Sequence, residues 1–352
     1  MKIVFFGSSD FAVPSLERLI ESQHKVVTVV TQPDREKGRN LKISATPVKE
    51  VATAKDTTVY QPEDVTSPES IKHLKSLKAD LFIVVAFGRI LPTEVLDIPK
   101  LYSMNLHASL LPKYRGAAPI NYAVMKGEKK TGLTVIRMNE KMDAGDIMLQ
   151  RSLEIERTDD AETMSRKLAD LGSVLILDAM RFIELDKVKF KTQPQKTMSR
   201  ASKLTKEDGL VDWKKPNDKI HNMVRGLVPW PCAYTYFGEK MIKIWKSETM
   251  PSYQKIYPGT VIEVRKDFIA VACGKNALII KELQLEGGKR MSAADFLRGH
   301  KIEKSTFFGN LGETPPPPPP PEPEEPVEEK PAEEKPAESE SPKPTEEKPA
   351  EQ

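Results

Sequence analysis

Cysteine is nearly missing from this 352-residue chain; Cys232 and Cys273 are the only two. That is too few for a disulfide framework or a cysteine-rich zinc site, so two buried thiols in a reducing compartment are expected. Histidine is scarce as well, and His24, His73, His221 and His300 are scattered without metal-ligand spacing, so no metal is expected. No apolar stretch exceeds eight residues, against the roughly 20 that a membrane-spanning helix needs. The chain runs from Met1 and Lys2 straight into Ile-Val-Phe-Phe, without a signal or Arg-rich transit pattern. A cytoplasmic protein with no membrane partner is expected. Glycine is sparse where a dinucleotide enzyme needs it. Gly7-Ser8-Ser9-Asp10-Phe11-Ala12 keeps one glycine of the G-x-G-x-x-G pattern, and close approach to a pyrophosphate requires the others. This argues against a dinucleotide-dependent oxidoreductase.

The formal net charge of +3 hides a segregation. Residues 314–352 hold 12 Glu and 4 Lys, whereas residues 191–313 carry 22 Lys and Arg against 13 Asp and Glu. The basic surplus therefore sits in the second half of the folded chain, and a surplus of this kind suits a polyanionic partner.

The first 190 residues alternate strand-like and helix-like segments. Apolar runs at 3–6, 26–30, 79–86 and 102–107 read as buried strands. Pro14 opens one helical pattern and Ser67-Pro68-Glu69 another, with Ser67 as N-cap. Residues 161–185 read as one or two helices, with a break at Gly172 possible in the pattern. The class expected is α/β, with a Rossmann-like, doubly wound, mostly parallel sheet over 1–190. Residues 191–206 are polar and basic, as a linker should be. From 207 to 313, short strand candidates at 233–237, 241–245, 259–264, 268–273 and 278–283 precede a capped helix at 292–298. They predict a small OB-like β-barrel, with Trp213, Trp230 and Trp245 in its core. Residues 314–352 begin with seven consecutive prolines at 315–321 and continue in Glu, Lys, Pro and Ala. Such a tail has nothing apolar to offset its ordering entropy and is expected to be disordered.

Residues 105–121 read Asn-Leu-His-Ala-Ser-Leu-Leu-Pro-Lys-Tyr-Arg-Gly-Ala-Ala-Pro-Ile-Asn. In a strand, Asn105 and His107 point to the same face. An apolar turn follows, Ser109, Leu110, Leu111 and Pro112, then Arg115-Gly116. Two more apolar runs end nearby in sequence logic: 79–86 leads into Phe87-Gly88-Arg89-Ile90-Leu91-Pro92, and 132–138 leads into Met142-Asp143-Ala144-Gly145-Asp146. Ligands of open α/β sheets sit at the carboxyl ends of strands, so three strand ends are expected to converge on one crevice. A neutral donor, a titratable base and a lipophilic loop suit acyl chemistry on a flat organic molecule.

This constellation resembles the folate-dependent formyltransferases: Asn105, His107, the 109–112 loop, Arg115-Gly116, Pro119 and Asp143 match the family pattern. The resemblance covers roughly residues 1–313. It implies Asn105, His107 and Asp143 as catalytic residues. It also implies Phe87, Gly88, Ile90, Leu91, Ser109, Leu110, Leu111 and Pro112 as the pocket for 10-formyltetrahydrofolate, the formyl donor, with no metal. Among acceptors, the α-amine of methionine on initiator tRNA is expected, with translation initiation as the setting and no obligate protein partner. A long loop at 32–50 supports that choice. It lacks apolar periodicity and holds Arg35, Lys37, Arg39 and Lys42, which the resemblance implies reach the tRNA acceptor end. An amino-sugar nucleotide acceptor is the runner-up, since such an enzyme also carries a second domain. A noncatalytic RNA-binding protein is the alternative from another class. The tail lies outside the family pattern. Either it is a solubilising extension or its acidic charge competes with RNA for the basic surface. If it competes, deletion of residues 314–352 will raise tRNA affinity at low salt, measured by filter binding; unchanged affinity would assign it to solubility alone.

Overall fold

The computed structural model describes residues 1–37, 42–252 and 256–314. Arg39 and residues 315–352, where disorder is expected, lie outside the described residues.

The N-terminal part follows the βαβ pattern. Strand β1 (Lys2–Gly7) is buried on both faces from Ile3 onward, as a central parallel strand must be. Helix α1 (Val13–Ile20) takes Pro14 in its first turn, and β2 (Lys25–Val30) follows. The basic loop then forms a hairpin, β3 (Arg35–Lys37) with β4 (Lys42–Ser44). Helix α2 (Pro47–Ala54) is capped by Thr46, which accepts the Lys49 N–H. After β5 (Val59–Tyr60) comes α3 (Pro68–Ser76), capped by Ser67 as its sequence signals. The rest are β6 (Leu81–Val85), α4 (Thr93–Leu96), β7 (Tyr102–His107), β8 (Arg115–Gly116), α5 (Pro119–Met125), β9 (Lys130–Arg137), β10 (Ile147–Glu154) and α6 (Ala161–Glu184).

The main sheet has the order β10-β9-β7-β6-β1-β2-β5. From β5 to β7 all neighbours are parallel, while β9 runs against β7 and β10 against β9. Alternate residues of β1 serve two cores. Ile3 and Phe5 pack under α1 and α6, while Val4 and Phe6 pack with Leu74, Phe82 and Val95 on the other face. Two sequence expectations change here. Because β9 is antiparallel, its Arg137 lies opposite Met104 rather than beside His107, and the following loop must turn back to reach the crevice. Gly172 does not break α6, which is continuous. A Cβ there would lie 2.6 Å from Leu106 Cδ2, so this glycine lets the helix settle on the strand that carries the site.

Residues 191–206 are not a free connection. Strand β11 (Arg200–Ala201) pairs in parallel with β8. Helix α7 (Asn217–Gly226) leads to an antiparallel sheet of β12 (Ala233–Phe237), β13 (Lys240–Met250), β14 (Val261–Arg265), β15 (Phe268–Ala272), β16 (Ala277–Leu285) and the short β17 (Met291–Ser292), followed by α8 (Ala293–Gly299). The order is β12-β13-β16-β15-β14, with β17 on β16. Residues 305–309 then close the barrel. The Val261 N–H donates to Thr306 O at 2.7 Å on one edge, and the Tyr236 N–H donates to Gly309 O at 2.9 Å on the other. Both edge strands are thus covered. Trp213 is core and donates to Thr235. Trp230 and Trp245 are not core: Trp230 is exposed, and Trp245 lies half-buried under the Arg290 guanidinium, 4.7 Å from its ring centre. Among the described residues no helix is long and apolar enough to cross a membrane.

The two sheets meet at a tight seam. A Cβ on Gly226 of α7 would sit 2.4 Å from Met125 of α5. Asn121 Nδ2 donates to Gly226 O at 2.8 Å. Arg225 reaches across to Glu156 O and to Asp159 O, at 3.2 and 2.9 Å. Asp159 itself is 4% exposed and pairs with Lys167 at 2.8 Å. Burial pushes its carboxyl upward most strongly. The hydrogen bond from Lys167, the Glu156 N–H, the Lys167 charge and Thr163 together outweigh that, leaving it below its ordinary value. A carboxyl lowered in the folded state stabilises above the unfolded value, and that contribution is lost as pH falls through the folded one. Asp159→Asn will therefore lower the urea midpoint at pH 7, and the difference from wild type will shrink once pH drops below about 3.9. A pH-independent difference would assign the effect to packing alone.

Candidate active site

Strand β7 leaves the sheet with Met104 and Leu106 in the core under α6 and with Asn105 and His107 on the other face. Those two side chains open into a cavity of about 540 Å³. Its other walls come from three places. The 86–91 turn supplies Phe87, Gly88, Ile90 and Leu91; the start of α5 supplies Gly116 to Asn121; the loop after β9 supplies Met138 to Asp143. The turned-back loop thus delivers Asp143 although β9 points away. Ile90 and Met142 are large apolar side chains left 69% and 59% exposed on the cavity rim, where a flat organic ligand would cover them.

Asn105, His107 and Asp143 line the same cavity, and His107 and Asp143 approach each other within it. His107 Nδ1 is 3.5 Å from Asp143 Oδ1, with the two side chains 6% and 13% exposed. His107 Nε2 lies 2.9 Å from the carbonyl oxygen of Tyr114. A carbonyl only accepts, so Nε2 carries a proton, and Nδ1 is the nitrogen free to take up or release one. Asp143 Oδ2 accepts the Gly116 N–H at 2.9 Å. The Asn105 amide has no hydrogen-bond partner among the described residues and lines the cavity, so its N–H groups are available to a ligand.

The backbone around this trio is unusual. Tyr114, Asp143 and Gly116 all have positive φ, at 60°, 51° and 123°. A Cβ on Gly116 would sit 2.5 Å from Ala201 O, so the β8–β11 pair requires glycine there. Tyr114 is further held by its hydroxyl, which donates to Glu128 at 2.7 Å. Burial, then Glu128, push that hydroxyl well above its ordinary value.

Other expected site residues are placed differently. Ser109, Leu110, Leu111 and Pro112 do not line the cavity. Ser109 is fully buried and donates to Lys113 O, Leu111 packs on Ile136 and Ile147, and Leu110 lies against Gly132. The loop's apolar side chains turn into the protein and brace the segment that leads to Tyr114. Phe87 is nearly buried, edge-on to Phe6. Its carbonyl is fixed by Gln32 Nε2 at 2.7 Å and the Ser8 hydroxyl at 3.2 Å. Gly88 follows at φ 79°, with Gln32 where a Cβ would point. Arg35 is exposed on β3, and Lys37 and Lys42 stand in register on the hairpin. Among the described residues no group of three or more His, Cys, Asp or Glu is arranged to hold a metal.

Sequence reasoning missed Gln193. Polar composition assigned it to a solvated linker, yet it is buried between Arg115, Asp143 and Gly145. Nothing in the local pattern marks it; only its distant partners do.

Comparison with known proteins gives the family. Residues 1–180 match the family described as formyl transferase, and residues 203–301 match the formyl transferase C-terminal domain. The methionyl-tRNA formyltransferase of Caldanaerobacter subterraneus subsp. tengcongensis is 46% identical over 309 residues, covering 88% of this chain and all of the relative. That of Clostridioides difficile is 41% identical over 309 residues, again with 88% and 100% covered. Among solved structures, an N-formyltransferase of Helicobacter canadensis in complex with folinic acid and dTDP-3-aminofucose superposes with a TM-score of 0.61 at 20% identity, covering 80% of this chain and 98% of that one. HypX from Aquifex aeolicus in complex with tetrahydrofolic acid superposes with a TM-score of 0.56 at 20% identity, covering 87% and 51%. These two likenesses describe the fold, whereas the sequence matches run the length of the relatives through both parts, and the chain belongs to the methionyl-tRNA formyltransferases of the formyl transferase family.

Proposed function

We propose that this chain moves the formyl group of 10-formyltetrahydrofolate to the α-amine of methionine on initiator tRNA, with Asn105, His107 and Asp143 as the reacting site. The observation that carries this reading is one cavity with an apolar rim, lined by an unpartnered amide and by an imidazole set against a carboxylate. The pterin and benzoyl parts would lie along Phe87, Gly88, Ile90 and Leu91, while the 109–112 loop braces the segment that leads to Tyr114. No metal is needed. The setting proposed is a reducing cytoplasm, consistent with two buried free thiols.

The chemistry follows from the donors available. An α-amine has a pKa of about 7.7–8.0, so a useful fraction is neutral near pH 7. Its lone pair attacks the formyl carbon, a C–N bond forms, and the carbonyl oxygen becomes an oxyanion. Asn105 donates an N–H to that oxygen. His107, with Nε2–H anchored on Tyr114, presents Nδ1 to the reacting groups, and Asp143 orients it. The proton released by the attacking amine passes through Nδ1, or a water beside it, to N10 of the folate. The bond from the formyl carbon to N10 then breaks, leaving N-formylmethionyl-tRNA and tetrahydrofolate.

The acceptor is assigned by charge. We propose that tRNA is met by Arg35, Lys37 and Lys42 of the β3–β4 hairpin, by Arg39 from the same basic stretch of sequence, and by the basic half beyond the 191–206 linker, residues 207–313. Residues 1–190 would carry the transfer chemistry.

Formylation of methionyl-tRNA by 10-formyltetrahydrofolate, run beside a dTDP-amino sugar as competing acceptor, tests the reading directly; product on the sugar alone would overturn it. Asn105→Ala will lower kcat by about 10²–10³-fold. His107→Ala and Asp143→Ala will each lower it by about 10²-fold or more, while tRNA retention on filters stays within about twofold. Equal loss of turnover and binding would argue against these roles. Gly116→Ala will cost about 1 kcal/mol or more of stability and reduce kcat, measured by denaturant melts and single turnover. Arg39→Ala will raise the KM for tRNA more than it lowers kcat; an unchanged KM would remove the hairpin from the RNA surface.

A further inference from the structure

Gln193 is 3% exposed, although it lies in the stretch between the two sheets. Its amide is fully engaged. Oε1 accepts from Arg115 Nε at 3.0 Å and from Nη2 at 2.7 Å. Nε2 donates to Asp143 O at 2.8 Å and to Gly145 O at 2.7 Å. The orientation follows from chemistry: a guanidinium only donates and peptide carbonyls only accept, so a flipped amide would oppose donor to donor and acceptor to acceptor.

We infer that Gln193 is a positioning residue, which holds the 143–145 backbone and through it the Asp143 carboxylate against His107 Nδ1. This rests on the reading of Asp143 and His107 as the reacting pair. Asp143 requires such support. Its φ of 51° lies where a non-glycine side chain crowds its own backbone, and it persists only when its surroundings over-determine it. Gly145 is seated so closely on β9 that a Cβ would lie 1.8 Å from Arg137 O. The loop is therefore backed by Arg137, and Gln193 ties Asp143 to that fixed point. The same stretch anchors the imidazole. The Ser199 hydroxyl accepts the Tyr114 N–H at 2.9 Å, and Tyr114 O accepts from His107. Without the two amide donors, the buried Gly145 carbonyl and the partly buried Asp143 carbonyl lose their side-chain partner, and the carboxylate moves by a fraction of an ångström relative to His107. Reactions limited by geometry respond strongly to such shifts.

The test uses the full chain and Gln193→Glu, which keeps the shape and the acceptor for Arg115 but removes both donors. Formylation of methionyl-tRNA is measured across pH for wild type, Gln193→Glu, Asp143→Asn and the double variant, each checked for a cooperative thermal melt. The expected result is a kcat lower by about tenfold to a hundredfold in Gln193→Glu, with the KM values for folate and tRNA within about twofold of wild type. The kcat–pH profile is compared in Gln193→Met, where no charge is added, and should be displaced in the same sense as that of Asp143→Asn. Adding Gln193→Glu to Asp143→Asn should cost less than about threefold more, as expected when one residue acts through the other. A folded Gln193→Glu variant with wild-type kcat, or losses that multiply in the double variant, would overturn the inference. Should Gln193→Glu fail to melt cooperatively, Gln193→Met, which removes the donors without adding charge, is judged by the same outcomes. Wild-type turnover in Asp143→Asn would overturn the reading of the site itself; a crippled Asp143→Asn beside an unaffected Gln193→Glu overturns only the role of Gln193.

Discussion

The backbone from Tyr114 to Gly116 is the constraint on which the site depends. One carbonyl, that of Tyr114, fixes the proton on His107 Nε2, and one N–H, that of Gly116, holds Asp143. These three residues cannot hold their shape alone. Tyr114 and Gly116 sit at positive φ, a conformation that costs a non-glycine residue about 1–2 kcal/mol. Their geometry is imposed by the two-residue ladder with β11, in which the Arg115 N–H donates to Ser199 O and the Ala117 N–H to Ala201 O. A short parallel pair of this kind has little strength by itself. It persists because Leu111 and Tyr114 are buried on one side of it and α5 begins directly after it.

That arrangement explains why part of the molecule was legible in sequence and part was not. Strands β1, β2, β6 and β7 announce themselves because both faces are covered, so each reads as a continuous apolar run, whereas the two-residue β5 and the half-exposed β10 do not. Asn105 and His107 share a face by the two-residue period of β7, which needs no tertiary information. Ser67 and Pro14 mark helix starts for local reasons, whereas α2 (Pro47–Ala54), capped by Thr46, went unread inside the 32–50 loop. What escaped were features set by distant partners. The direction of β9 depends on which edge of β7 it meets. Gly172 looked like a helix break because its reason, the close approach of Leu106, is sixty-six positions away in the chain. The Ser109–Pro112 loop is apolar enough to suggest a ligand surface, yet its side chains are used inward against Ile136, Ile147 and Gly132. Gln193 carries no hydrophobic signal at all, since its burial is compensated by hydrogen bonds rather than by packing.

The seam between the sheets follows the same physics. Arg225 crosses it to two carbonyls of the 156–159 turn, and Asn121 crosses it the other way to Gly226 O. Partly buried polar contacts of this type add little net stability over an apolar contact of equal size, but they accept only one register. Gly226 against Met125 allows the helix backbones to approach closely enough for those bonds to form. The basic half of the chain is therefore not tethered loosely to the half with the cavity. Its position is specified by directional bonds, one helix away from Gly116 and its bond to Asp143.

This bears on how a large acceptor can be matched to a small reacting centre. A tRNA binds mostly through phosphates, and such contacts position without demanding fine geometry. Transfer of a one-carbon group demands the opposite, because an amine, a carbonyl carbon and a proton relay must align closely. A chain that joined the two tasks through a flexible linker would lose alignment between them. Here the 191–206 stretch is ordered against the site at three points, Gln193, Ser199 and Ala201, each bonded to the segment that fixes His107 or Asp143. The residues that connect the basic half to the cavity are thus the same residues that hold His107 and Asp143 in place, so the register set by one half is transmitted to the other through hydrogen bonds of ordinary length.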